Sequence, residues 1–492
     1  MLQSCNLDAV GICNPVLGSR TIVLSAKPLL LPDTDTIQQR LLVIVMDYSS
    51  CALPATMNQT AIRTIFLGNN GDGSGGVAQK YTQCSHGKFN LNTTAFKVIT
   101  VRSNCTDAVS KSCSYWRIAD DGDIGARALL GKDKYYSFTH FAYVLPEGMI
   151  GRCPWSGLAL SPGQQIWLQS SSYGVNRWAT IMQEALHNYG LWHSWQNGQE
   201  YEDYSTFMGR GDVCLNAPEM AYMGWATPAP GGGSINSNAL PVGMTLTFNL
   251  PATYLTPEGN YLRVIPDWLP SYNTSTQAKN LYIALRASKG ADSALTSFYA
   301  SKLNIHEVNA KMDSNPLFYM YMDRRISFFA ATAPQTRMNI TSYNLVVYAG
   351  SWINTDILRV HLCRFMSSAK ECPTLRAAEE KPQLPPPNLP SPRRSVMLPP
   401  PPRATTNNTM PTTVDVSGTL IFKQSHSNMS EWVIRKSDGS VLPIARGYQP
   451  PKADNLGQVV VPGALVVIVS YVLLTLACGL WIETYYYSLA NS

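Results

Sequence analysis

Ten of the 23 residues in segment 381–403, KPQLPPPNLPSPRRSVMLPPPPR, are prolines. Such a stretch favours the extended polyproline II form and cannot pack a core, so it holds apart whatever lies on its two sides. In a chain of 492 residues it therefore reads as a stalk, and the main folded body must precede it. Beyond it, residues 404–456 read as a juxtamembrane segment. Residues 459–482, VVVPGALVVIVSYVLLTLACGLWI, then run for 24 positions without a charge. That length crosses a hydrocarbon layer of roughly 30 Å as one tilted helix. The membrane is the partner expected at this end.

Only 14% of positions are charged, which excludes a coiled coil and a charge-rich disordered chain. Lys and Arg total 38 against 32 Asp and Glu, a net charge of +6 spread without a basic stripe interleaved with aromatics. No nucleic-acid partner is expected. Ten cysteines (5, 13, 51, 84, 105, 113, 153, 214, 363 and 372) are scattered through the polar body with no CxxC pair, the pattern of disulfides rather than of a zinc knuckle. Acceptor triplets for N-glycosylation begin at Asn58, Asn92, Asn104, Asn273, Asn339, Asn407 and Asn428. Residues 1–20 show no charged start followed by an apolar core, so no signal peptide is visible. Arg446 and Lys452 precede the apolar run and no Lys or Arg follows it, which by itself would place the body in the cytoplasm. The cysteines weigh more than two basic residues, because large domains cross regardless of flanking charge. A single-pass membrane protein is expected, its body outside the cell or in the secretory lumen.

Residues 1–37, with Cys5 and Cys13, read as a leader or propeptide remnant. Residues 41–46 (LLVIVM) have the length and continuous apolarity of a buried strand. A glycine cluster at 68–76 and strand patterns at 96–101 and 141–145 extend an α+β domain over 38–230, and PAPGGGS at 228–234 reads as a connector. From 235 to 375, short runs such as MTLTFNL, YLRVI, LYIAL and LVVYAG alternate with Pro, Gly, Asn and Ser, the signature of a β-rich, sandwich-like domain.

Segment 176–194, NRWATIMQEALHNYGLWHS, concentrates the chemistry. Trp178, Ile181, Met182, Ala185, Leu186 and Tyr189 fall on one face of a helix. Gln183, Glu184 and His187 project from the other side, Gln183 and His187 one turn apart. Gly190 lets the chain leave the helix, so His193 can swing toward His187. Two imidazoles and a helix-borne donor make a three-ligand zinc site with a fourth position open to water, and Glu184 stands where a general base would. The bland alternative is that these three side chains are the wet face of an amphipathic helix.

The run Gln183-Glu184-Ala185-Leu186-His187-Asn188-Tyr189-Gly190-Leu191-Trp192-His193 resembles the long zinc signature of metzincin proteases, and most of all the gametolysin (autolysin) family of volvocine green-algal wall-degrading proteases. The likeness extends over residues 38–310: Tyr81-Thr-Gln-Cys84, Tyr143-Val-Leu-Pro-Glu-Gly and Cys153-Pro-Trp-Ser-Gly upstream, Asp203-Tyr-Ser-Thr-Phe-Met208-Gly and Leu215-Asn-Ala-Pro-Glu downstream, then Asn260-Tyr-Leu-Arg-Val and Asn304-Ile-His-Glu-Val. The resemblance implies a metzincin-like zinc endopeptidase. Glu184 is then the base, His187 and His193 are zinc ligands with Gln183 as the third, and Met208 is the apolar floor of a methionine turn. Most metzincins place histidine where Gln183 stands; an amide oxygen is a harder and weaker donor, which opens the site to another divalent metal. The substrates implied are proline- and hydroxyproline-rich glycoproteins of a cell wall or extracellular matrix. The alternative is a non-catalytic matrix-binding or adhesion protein carrying a degenerate protease domain.

Overall fold

The structure is a computed structural model that describes residues 36–313 and 323–380 in full, and elsewhere a few short strands as backbone. Residues 36–380 belong to one compact unit. The expected leader, stalk and membrane span lie outside the fully described residues. Of the apolar run, Ser470–Tyr471 is described, as a two-residue strand paired with Leu456–Gly457. Among the described residues no helix is long and apolar enough to cross a membrane.

The first half is built on strands β1 (Ile37–Gln39), β2 (Leu41–Asp47), β3 (Phe89–Leu91), β4 (Lys97–Arg102), β5 (His140–Leu145), β6 (Gly157–Ala159) and β7 (Gln165–Gln169), with helices α1 (Gln59–Leu67), α2 (Gly76–Cys84), α3 (Tyr115–Leu130) and α4 (Trp178–His187). A five-stranded sheet runs in the order β4-β2-β5-β7-β6. Its first four strands are parallel and β6 is an antiparallel edge. Every residue of β2 is buried. Leu41, Val43 and Val45 face α1, α2 and α4, whereas Leu42, Ile44 and Met46 face Ile118, Ala119 and Ala126 of α3. A strand covered on both faces needs an unbroken apolar run, which is why LLVIVM is legible as one.

The second half forms two sheets. Strands β8 (Trp195–Gln196) and β9 (Gln199–Glu200) are followed by the short helix α5 (Ala217–Tyr222) and then by β10 (Thr245–Pro251), β11 (Tyr261–Val264), β12 (Lys279–Arg286), β13 (Lys302–Asn309), β14 (Ser327–Thr332), β15 (Thr336–Ile340), β16 (Leu345–Asn354) and β17 (Ile357–Arg364). They pair as a six-stranded sheet, β9-β8-β14-β13-β12-β11, and a four-stranded sheet, β10-β17-β16-β15. Leu281, Ile283 and Leu303 of the first pack on Val347, Val360 and Leu362 of the second. The period-2 alternation then sends Tyr261, Tyr282, Ala284 and Val308 out of the opposite face and into the same core cluster as α4. The six-stranded sheet is thus the layer shared between the sandwich and the α/β half.

Segment 228–234 is no loose tether. Ala229 donates to the Tyr261 carbonyl at 2.9 Å and the Gly232 carbonyl accepts from Arg263 at 2.7 Å, so the segment lies along β11. A Cβ on Gly232 would meet Leu262 Cδ2 at 2.6 Å. Glycine serves close approach here, not flexibility.

Among the described residues, disulfides join Cys51 to Cys105, Cys84 to Cys214, Cys113 to Cys153 and Cys363 to Cys372. Such bridges form and persist in oxidising compartments, outside the cell or along the secretory route.

Candidate metal centre

Helix α4 forms over Trp178–His187, but it has no wet face. Every residue from Ala179 to His187 is buried, Gln183, Glu184 and His187 included. The helix ends at Asn188, and Gly190, at φ +85°, takes the left-handed turn that a side chain would resist. The reversed chain brings the His193 ring to 4.7 Å from the His187 ring, nearly perpendicular to it, with the two Nε2 atoms 3.0 Å apart.

The remaining ring nitrogens decide what that contact is. His187 Nδ1 lies 2.6 Å from the Leu191 carbonyl, which only accepts, so the proton sits on Nδ1 and Nε2 bears a lone pair. His193 Nδ1 lies 2.8 Å from Glu200 Oε1, which orients its lone pair in the same way. Burial pushes both imidazoles down to about 3, so neither ring carries a second proton near neutrality. Two bare acceptors therefore face one another in a buried site. Two imidazoles on a tetrahedral zinc with Zn–N of about 2.0–2.1 Å would hold their nitrogens about 3.3 Å apart, close to the spacing seen.

Gln183 lies one turn before His187, 7% exposed, and its side chain hydrogen-bonds to no described residue. Among the described residues no three His, Cys, Asp or Glu side chains are arranged to hold a metal ion. The donors that helix α4 and the turn after it offer a cation here are two imidazole nitrogens, with the Gln183 amide one helical turn before His187. Burial pushes the Glu184 carboxyl up to about 8, so it is a stronger proton acceptor than an ordinary carboxylate.

Gly157 of edge strand β6 lies directly against that carboxyl: a Cβ there would meet Glu184 Oε1 at 2.6 Å and Cγ at 2.7 Å. Gly157→Ala is expected to displace Glu184 and lower kcat by about 10- to 100-fold with bound metal retained, since a misplacement of about 1 Å costs up to 10² in rate. Steady-state kinetics together with metal analysis check this.

Three supports were not read from the sequence. Glu200 is placed by a hairpin whose turn is Asn197-Gly198, both with positive φ, pairing Glu200 with Trp195. The Asn-Gly dipeptide is a strong two-residue hairpin signal and was available. Tyr201 packs its ring 4.0 Å from the His193 ring. Below lies buried Asp203, which accepts from Ser194 Oγ at 2.7 Å and meets His306 Nε2 of β13 at 3.1 Å. Ser194 N–H donates to the Met208 carbonyl at 2.9 Å, tying the residue after His193 to the fully buried Met208. No spacing rule announces Asp203 and His306, which are 103 positions apart.

The sequence model of the gametolysin peptidase M11 family matches residues 40–342. This chain belongs to that family. It is similar to an autolysin from Chlamydomonas reinhardtii, 26% identical over a stretch amounting to 43% of this chain and 42% of the relative. The likeness thus spans less than half of that relative's length. The gametolysin-family span reaches past the motif resemblance at 38–310 and takes in β14 and β15, so it contains the whole six-stranded sheet.

Proposed function

We propose that this chain is a zinc-dependent endopeptidase of metzincin type that hydrolyses peptide bonds in proline- and hydroxyproline-rich glycoproteins of a cell wall or extracellular matrix. The observation that carries this reading is the buried pair of imidazole lone pairs, His187 and His193 Nε2 at 3.0 Å, each fixed by a hydrogen bond at its other nitrogen. His187, His193 and Gln183 would hold the metal. When bound, zinc lowers the pKa of a coordinated water toward neutrality and polarises a peptide carbonyl.

The chain's own residues do the rest. Glu184 takes a proton from the attacking water and passes it to the leaving amine, so no covalent intermediate is needed. Among the described residues strand β6 pairs with β7 alone, so its outer edge could hydrogen-bond an extended peptide. Glu200 keeps the His193 tautomer, and Met208 supplies the apolar floor. The disulfides of the described residues favour a body outside the cell or in the secretory lumen, and the apolar run 459–482 would tether it to the membrane.

The second reading, a non-catalytic matrix-binding or adhesion protein, rests on the amide standing where a third imidazole would bind more tightly. Elemental analysis of the purified protein and turnover of a protein substrate separate the two: stoichiometric divalent metal with turnover supports the endopeptidase, and a metal-free, inert protein overturns it. Gln183→His is expected to tighten zinc by at least about tenfold in chelator competition, since imidazole is the better zinc donor. An unchanged affinity would mean that Gln183 is not a ligand.

A further inference from the structure

Beside the imidazole pair lies an open cavity of about 680 Å³, lined among others by Glu200, Tyr201, Glu202, Tyr204, Arg210 and Phe298. Its volume falls within the usual range for a ligand site. Glu200 and Tyr201 form the wall shared with the metal centre: one bonds the His193 ring and the other packs against it. The remaining surface combines two chemistries. Tyr204 and Phe298 are 40% and 53% exposed and offer ring surface to the cavity. Glu202 is paired with Arg210 at 2.8 Å, and Glu200 spends one oxygen on His193 while the other has no hydrogen-bond partner among the described residues. Among the lining residues two carboxylates thus stand against one guanidinium, and Arg325, which acts on Glu200 from outside the lining, is itself paired with Asp323 at 3.2 Å.

Resting on the peptidase reading above, we propose that this cavity is a substrate subsite for a lysine or arginine side chain a few residues from the bond cleaved. A long cationic side chain suits both chemistries: its methylenes lie on the rings, its charge is attracted to a ring face, and its donors meet the spare carboxylate oxygen. A neutral apolar side chain would strip water from the carboxylates without replacing it. An anionic one meets the excess negative charge.

The test uses the metal-loaded full chain and fluorescent decapeptides in which lysine or norleucine is scanned through each position. The expected result is one position at which lysine exceeds norleucine by about tenfold in kcat/KM, the size of a partly desolvated cation–π and charge contact. Glu202→Gln removes a carboxylate and should shrink that ratio toward one; Arg210→Gln removes the competing cation and should enlarge it. A merely structural role for this pair would shift the ratio in the same direction in both variants, and that outcome overturns the proposal, as does the absence of any lysine-preferring position. Binding of the same peptides by fluorescence anisotropy reads the subsite without turnover. If no peptide is cleaved, the peptidase reading fails; equal affinities for lysine and norleucine peptides refute the subsite alone.

Discussion

Glu184→Gln is expected to cut peptide-bond hydrolysis by about 10²- to 10⁴-fold, the range for loss of a positioned general base, while metal content and fold persist. The substitution keeps the shape of the side chain and removes its ability to accept a proton. Glu184 is buried, and burial alone pushes its carboxyl up to about 8. A neutral amide at that position therefore escapes a desolvation cost that the charged carboxylate bears, so thermal stability should hold or rise. The imidazoles of His187 and His193 keep their hydrogen bonds to Leu191 and Glu200, neither of which involves Glu184. Three measurements decide the matter: kcat, Tm and metal stoichiometry. Cleavage at the wild-type rate would show that Glu184 is not the base; loss of metal would show that it shapes the site instead.

The parts of this protein that were legible in its sequence are those whose cause is local. The unbroken run in β2 announces a strand covered on both faces. The i, i+3, i+4 spacing of Trp178, Ile181, Met182 and Ala185 announces α4, and Gly190 announces its exit. The helical period gives the direction of Gln183, Glu184 and His187 but not what covers them, since covering groups come from elements far along the chain. Gly157 illustrates this: nothing near it marks it as the neighbour of Glu184, because the contact joins an edge strand to a helix across the sheet. PAPGGGS read as a connector because glycine and proline accompany both flexible links and close-packed backbone, and only the partner, Leu262, distinguishes them. Glu200 lies between these extremes: its hairpin was announced by Asn197-Gly198, its bond to His193 was not.

The same long-range dependence predicts what happens when the β-rich half is removed. A chain comprising residues 36–234 is expected not to fold to a metal-binding state. Tyr261, Tyr282, Ala284 and Val308 belong to the core cluster that contains α4, so the cut opens that core to water. Arg286, 1% exposed, donates to the Ser205 carbonyl at 2.8 Å and the Cys214 carbonyl at 3.3 Å, and both acceptors would lose their partner. Asp203, buried beneath the residue that follows His193, would lose His306, which with Ser194 holds its carboxyl below the usual range even though burial, the largest influence, raises it. The hairpin that carries Glu200 would lose its pairing with β14, where Trp195 meets Ser327 in parallel register. Each loss falls on the candidate metal centre or one layer beneath it. Near-UV circular dichroism and metal analysis of the truncated chain test this: the expected result is no fixed aromatic signal and no stoichiometric metal. A cooperatively melting, metal-loaded fragment would show that the α/β half carries the site unaided, and that the six-stranded sheet is an attachment rather than part of its foundation.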